Sequence, residues 1–162
     1  MGYTIVNAIS SDLARIEEIY AYARNFMAEH GNPTQWGTTY PAHEVLVQDI
    51  LLQKLYVVKD ETQIHGVFYF AVEDDATYHE IFDGDWHSED AYGVIHRIAG
   101  DGSGGILAAA VEFCSQRISY LRIDTHADNT VMRRAVAKLG YEYCGIIYVD
   151  DGTPRFAFDK IL

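Results

Sequence analysis

The stretch Ala99–Gly105, AGDGSGG, is where this 162-residue chain is best equipped for chemistry. Gly100, Gly102, Gly104 and Gly105 let the backbone turn tightly and expose several amide N–H groups, and an apolar helical pattern begins at Ile106. Turned amides at the positive end of a helix dipole bind phosphate oxygens without any basic side chain. Further on, Asp124 and His126 alternate along a strand end, so their side chains share one face. Either can accept a proton, directly or through water, and histidine titrates near neutral pH. The same pair is equally suited to bonding the neighbouring loop and capping the next helix. The seven histidines show no HxH or HExxH spacing, and Cys114 and Cys144 sit in apolar patterns as reduced core thiols, so no metal site is expected.

Two phosphate-bearing cofactors fit the turn. Gly100-x-Gly102-x-x-Gly105 matches the dinucleotide fingerprint, with Asp124 about twenty residues on, where a ribose-binding acid belongs. That reading makes the chain an NAD(P)-binding oxidoreductase. It needs a doubly wound sheet, and too few βα units follow the turn to build one. The other reading is a pyrophosphate loop for coenzyme A.

The surrounding pattern supplies the elements that hold these residues. Tyr3–Ile9 alternates and is β-branched, as a first strand should. Ser10 and Ser11 are N-cap candidates for a helix in which Leu13, Ile16, Ile19, Tyr20, Ala23 and Met27 recur at helical spacing, and Gly31-Asn32-Pro33 ends it. A loop, NPTQWGTTYP, leads to a second helix over His43–Gln53. Leu55–Lys59 and Ile64–Val72 form a hairpin around Asp60–Gln63. Tyr92–Ile98 is the strand before the glycine turn, Ile106–Ile118 the helix after it, and Leu121–Thr125 the next strand. Asp128 caps a helix over Asn129–Leu139, with Gly140 as its stop. Tyr141–Val149 and Arg155–Phe158 flank Asp150-Asp151-Gly152-Thr153, a strong hairpin signal. Such an order predicts one α/β (α+β) domain over residues 1–162, with helices covering a mixed sheet.

A formal charge of -12 repels nucleic acid and anionic membranes, so neither is expected as a partner. Much of the imbalance lies in Glu73–Asp90, where Asp and Glu recur without a single Lys or Arg. This segment reads either as a solvated loop or as a negative rim that draws in a cationic acceptor. The first residues carry no basic n-region and no long apolar h-region, so no signal peptide is expected; with no apolar stretch long enough to span a bilayer, a cytoplasmic location is expected.

The order of elements resembles the GNAT superfamily of acyl-CoA N-acyltransferases, with Tyr92–Ile98 as its central strand. That family's loop pattern, Gln/Arg-x-x-Gly-x-Gly/Ala, falls on Gly102, Ser103, Gly104, Gly105, Ile106 and Leu107. Gly105 fits the central glycine, whereas Gly102 replaces the Gln/Arg and Leu107 the small residue. Asn129, opening a helix that ends in Leu139-Gly140-Tyr141, is similar to the family's Asn-x-x-Ala…Gly-Phe signature. FMAEHGNPTQWG, YGVIHRIA, LRIDTHADN, YCGIIY and GTPRFAF look like a small bacterial subgroup without an assigned substrate.

The resemblance implies a mostly antiparallel central sheet of about seven strands flanked by about four helices. It implies acetyl-CoA as co-substrate and direct attack of an amine on the thioester between two splayed strands. Arg97 and Ile98 would lend backbone groups to the pantetheine arm and the thioester carbonyl, with Gly102 to Ile106 and Asn129 completing the cofactor site. The tyrosine that often protonates the departing thiolate falls on Val136, which cannot donate. Arg133 stands one helical turn earlier, or the thiolate leaves without an acid. Asn32, Gln35, Trp36 and Tyr40 lie where the family binds its acceptor, a small-molecule or peptide amine, and Tyr148 and Arg155 face the same region. A non-catalytic acyl-CoA-binding domain is the alternative that Val136 raises, and a homodimer is compatible with the fold.

Overall fold

A computed structural model describes residues 2–162. Among these residues, seven strands form a sheet in the order β1-β2-β3-β4-β5-β7-β6, accompanied by four α-helices. The chain divides into two compact units, Met1–Phe70 with His96–Phe113, and Ala71–Ile95 with Cys114–Leu162.

The first unit opens on β1 (Thr4–Asn7) and α1 (Leu13–Glu29). α1 buries Ile16, Ile19, Tyr20 and Ala23, the i, i+3, i+4, i+7 face of its apolar pattern. Ile16 and Ile19 are wholly buried, each contributing ~1.5–3 kcal/mol of transfer free energy. Ser10 and Ser11 do not cap this helix; Ser10–Asp12 is a short 3-10 turn, and the Asp12 carboxylate accepts the Ile9 N–H at 2.9 Å. α2 (His43–Leu51) stops two residues before Gln53, which has a left-handed φ of 58°. β2 (Leu55–Lys59) pairs antiparallel with β1 and with β3 (Ile64–Val72). Asp60 closes their hairpin, its Oδ1 accepting the Thr62 and Gln63 amides and the Thr62 hydroxyl. Gly66 and Gly100 admit the Ile106 side chain, which a Cβ at either would meet at 2.5 or 3.0 Å.

Three elements, β3 among them, run through both units. β4 (Gly93–Gly100) extends past Ile98, so Ala99 and Gly100 belong to the strand and the turn proper is 101–105. α3 (Ile106–Ser115) ends three residues short of Ile118.

In the second unit, β5 (Tyr120–Thr125) pairs with β4 in parallel at Gly93↔Leu121 and Val94↔Arg122. It pairs antiparallel with β7 (Pro154–Ile161), which pairs in turn with β6 (Glu142–Tyr148). With antiparallel pairing in both units, this is no doubly wound parallel sheet, and the dinucleotide reading of Gly100–Gly105 is set aside. α4 (Thr130–Lys138) is capped by Asn129, whose side chain accepts the Met132 N–H at 3.0 Å, and not by Asp128. Gly140 ends that stretch at a φ of 92°.

The acidic segment is anchored, although most of its carboxylates face solvent. Phe82 and Ile146 exchange backbone hydrogen bonds of 2.8 Å, and Tyr78 is only 1% exposed. Among the described residues, no helix is long and apolar enough to cross a membrane.

Gly84 is the tightest contact of this segment: a Cβ there would lie 1.9 Å from the Cys144 carbonyl oxygen. Backbone cannot swing aside as a side chain can, so Gly84→Ala should cost ~1–3 kcal/mol in urea denaturation. A variant as stable as the parent would show that the segment is loosely attached.

Candidate active site

In the first unit, Gly102, Gly104 and Gly105 adopt φ values of 92°, 86° and 77°, a region that side chains strain to enter. Gly102 is further confined by Tyr22, whose hydroxyl lies 2.6 Å from the position of a Cβ. The family's Gln/Arg therefore has no room in this turn without movement of Tyr22. The Tyr3 hydroxyl donates to the Gly104 carbonyl at 2.7 Å, fixing the turn's outer edge. Helix α3 follows at once, and its first-turn amides have no intrahelical acceptor. Ser103 is the exception among these cofactor candidates. Its N–H donates to Asp101 Oδ1 and its hydroxyl meets His65 Nδ1, both at 3.0 Å, so it braces the turn from within.

Beneath the turn lies a charged chain. Asp101 Oδ2 is 2.9 Å from the Arg15 guanidinium and 2.8 Å from His65 Nδ1, while His65 Nε2 is 2.7 Å from Asp60 Oδ2. An imidazole can donate from both nitrogens only as the cation. The hydrogen bond to Asp101 accordingly raises the His65 pKa, with Asp60 adding to it against the effect of burial. Burial pushes the Asp101 carboxyl up, but hydrogen bonds from Ser103 and His65 outweigh it and hold it below its usual range. Hydrogen bonds from Gln63 and Thr62 likewise lower Asp60.

The second feature is Arg97, which sits inside β4 with a φ of 51°. A non-glycine residue in that region costs of order 1–3 kcal/mol and needs its surroundings to hold it. Here the guanidinium Nε and Nη2 donate to Asp49 Oδ2 at 3.1 and 2.8 Å and the group lies 4.6 Å from the Tyr69 ring centre. The Tyr20 hydroxyl donates to the Arg97 carbonyl at 2.7 Å, which uses that oxygen. Asp49 is 6% exposed, and burial pushes its carboxyl up in spite of Arg97. Ile98 follows directly after the strained position. Trp36 packs edge-on against Tyr20 at 5.6 Å and tilted against Tyr40 at 5.9 Å, and the Tyr40 hydroxyl is 3.4 Å from Arg97 Nη1. Asn32 donates to Gln35 at 2.9 Å, yet its buried Oδ1 has no partner among the described residues.

In the second unit, the Tyr78 hydroxyl donates to Asp124 Oδ2 at 2.7 Å. Burial raises the Tyr78 pKa, the Asp124 charge raises it further, and the phenol stays a donor. The Trp86 ring lies tilted 5.0 Å from that of Tyr78 and donates its indole N–H to the Tyr78 carbonyl. Arg122 lies 4.1 Å from both the Trp86 and Tyr92 ring centres. Tyr78, Trp86, Tyr92 and Arg122 bound a cavity of about 530 Å³ whose wall also carries Asp74, Glu80, Asp85 and Glu89.

His126 does not share this arrangement. Its Nδ1 accepts the Asp128 N–H at 3.0 Å, which leaves the proton of the neutral ring on Nε2. Arg133 donates to the Ala127 carbonyl and stacks 4.7 Å from the Phe156 ring centre. Val136 is fully buried. Asn129 serves as the α4 cap, Arg155 donates to Thr153 Oγ1 and the Pro154 carbonyl, and Tyr148 is exposed against Phe82. Asp49, His65, Tyr78 and Trp86 were not singled out from the sequence, and Tyr20 was read only as part of an apolar helix face. Tyr78, Ile81, Phe82 and Trp86 carried the one available signal, since a merely solvated acidic loop has no use for such side chains.

No protein-family model and no curated protein matches the chain. Among solved structures it is similar to an acetyltransferase of the GNAT family from Streptococcus agalactiae, with 28% identity over 100% of this chain and 96% of that one, at a TM-score of 0.89. A GNAT-family acetyltransferase from Listeria monocytogenes shares 17% identity over 99% and 95% of the two chains, at 0.72. The acetyltransferase-like yncA from Salmonella typhimurium, solved with its cofactor acetyl-CoA, shares 15% over 100% and 95%, at 0.61. The last two speak for the fold alone.

Two outcomes follow from this geometry. Asp49→Ala leaves a mostly buried guanidinium unpaired and should cost ~3–5 kcal/mol in chemical denaturation. Because the folded pKa of His65 is raised, its contribution is complete below about pH 6.5 and is lost as pH rises through the folded value. The lowered Asp60 and Asp101 contribute above about pH 4 and lose their share as pH falls. The stability gap between the parent and His65→Gln should therefore be widest near pH 5–6 and narrow on the alkaline side, which denaturation at stepped pH measures directly.

Proposed function

We propose, from the premise that this chain belongs to the GNAT superfamily, that it transfers an acetyl group from acetyl-CoA to a small cationic amine. The observation that carries the reading is the glycine turn. Left-handed Gly102, Gly104 and Gly105 present backbone amides at the start of α3, the chemistry a pyrophosphate requires. The Salmonella structure of the same fold holds acetyl-CoA, which supports that cofactor here.

The amides of Gly102, Gly104, Gly105 and Ile106 bind the pyrophosphate, while Ser103 keeps the turn in shape. The Ile98 N–H, set by the strained Arg97 before it, stabilises the oxyanion formed when the amine nitrogen attacks the thioester carbon. Asp124 takes the proton of the incoming ammonium, directly or through water, with Tyr78 fixing one of its oxygens and leaving Oδ1 for the acceptor. His126 is left a loop-bracing role by its bond to Asp128. When the tetrahedral intermediate collapses, the carbon–sulfur bond breaks and coenzyme A departs as the thiolate. With Val136 buried, no side chain of α4 need protonate it, because a thiol of pKa ~8.5 is already a fair leaving group.

A cationic acceptor suits the acidic cavity wall of the second unit. In the first unit, the unpartnered Asn32 Oδ1 is an acceptor that an amine N–H would satisfy, and Trp36 and Tyr40 offer aromatic faces.

Thiol release measured over a panel of amines tests the assignment. Asp124→Asn should lower kcat by roughly 10²–10⁴-fold while calorimetry shows acetyl-CoA affinity unchanged. Tyr78→Phe should lower kcat less and leave KM for acetyl-CoA alone. Unimpaired turnover in Asp124→Asn would remove it as the base. Tight acetyl-CoA binding with no turnover on any amine would instead make the chain an acyl-CoA-binding domain.

A further inference from the structure

His87, Cys144 and Asp159 bring an imidazole, a thiol and a carboxylate together in the second unit, with one donor atom of each within 4.8 Å of the others. His87 Nδ1 lies 2.7 Å from Asp159 Oδ1 and 3.4 Å from Cys144 Sγ. Thiol and carboxylate thus approach the same ring nitrogen. A nucleophilic relay places them on opposite nitrogens, so this cluster is not a catalytic triad. Burial also pushes the Cys144 thiol up, away from a reactive thiolate.

Three unlike donors around a common point do suit a metal ion. With Zn–N near 2.0–2.1 Å and Zn–S near 2.3 Å, tetrahedral coordination places neighbouring donor atoms about 3.3–3.7 Å apart. The Sγ···Nδ1 distance already lies in that range, and Nδ1···Oδ1 needs to open by about half an ångström. Asp159, 1% exposed, is oriented through its other oxygen, which accepts the Tyr120 hydroxyl at 2.7 Å and the His87 N–H at 2.8 Å. Such outer partners leave Oδ1, turned toward His87 Nδ1, as the ligand oxygen. The bulge between Tyr143 and Gly145 turns Cys144 inward, 4% exposed beside a Tyr143 that is 48% exposed. The His87 side chain is 41% exposed, so the fourth coordination position opens to solvent.

We propose that His87 Nδ1, Cys144 Sγ and Asp159 Oδ1 bind one zinc ion, with a water as fourth ligand, clipping the acidic segment to β6 and β7. The thiolate–imidazole pair selects zinc over magnesium or calcium. The protons on Sγ and Nδ1 are displaced to solvent as the metal binds. His87 stands 57 residues from Cys144, too far for any spacing motif to announce the set.

The full-length apo-protein is titrated with zinc chloride in a calorimeter and, separately, with cobalt chloride in a spectrophotometer. The expected result is one equivalent bound, a higher Tm with zinc, and a near-ultraviolet thiolate-to-cobalt band. His87→Ala, at an exposed ring, and Cys144→Ser should each weaken zinc binding by at least the roughly 10–100-fold that loss of an outer partner costs. Cys144→Ser should also abolish the cobalt band. Absence of the band in the parent, or a zinc Kd unchanged by both variants, overturns the proposal. If Cys144→Ser does not fold, His87→Ala decides alone.

Discussion

Arg97 is held in a backbone conformation it would not choose, and the first unit is arranged around that constraint. Its guanidinium is clamped by Asp49 and rests on Tyr69, while Tyr20 pins its carbonyl from α1. Burial works against the pair, as the upward push on the Asp49 carboxyl shows. Replacing both partners with apolar groups of similar volume could therefore be nearly neutral for stability. What the pair supplies is position: it fixes one peptide of β4 at an angle that β-sheet pairing alone would straighten.

The glycine turn is held by different means. Its shape comes from residues that tolerate positive φ, and its anchorage comes from the Arg15–Asp101–His65–Asp60 chain below it. The two cations in that chain offset Asp101, which would otherwise put a negative charge beside a site meant for phosphate. Ser103 joins the two arrangements, bonding to both Asp101 and His65.

Local patterns made most of the fold legible in the sequence. The bounds of β2 and β3 follow from two apolar runs joined by a polar turn, and α1 from its apolar stripe. Errors gather at element ends, where candidates of similar chemistry stand side by side: Asn129 and not Asp128 caps α4, and Asp12, without a side-chain cap bond, holds the N-cap position of α1 in place of Ser10 or Ser11. β7 runs to Ile161, beyond Phe158, because β5 pairs with it as far as Tyr120↔Ile161, which no local pattern encodes. In the candidate site, the glycine turn was visible because four glycines in one short stretch are a local signal. Pairs such as Asp49–Arg97 and Tyr78–Asp124 were not, since 48 and 46 residues separate their members.

β6 ends the sheet, and an end strand exposes unpaired amides and carbonyls that invite another chain to add on. Phe82 already takes up one rung at Ile146, and the bulge beside Gly145 breaks the regular spacing that an added strand would need. The acidic segment that bridges there also sets negative charge along the approach. The protein thereby carries its own guard against edge-to-edge aggregation, built from the same residues that line its cavity.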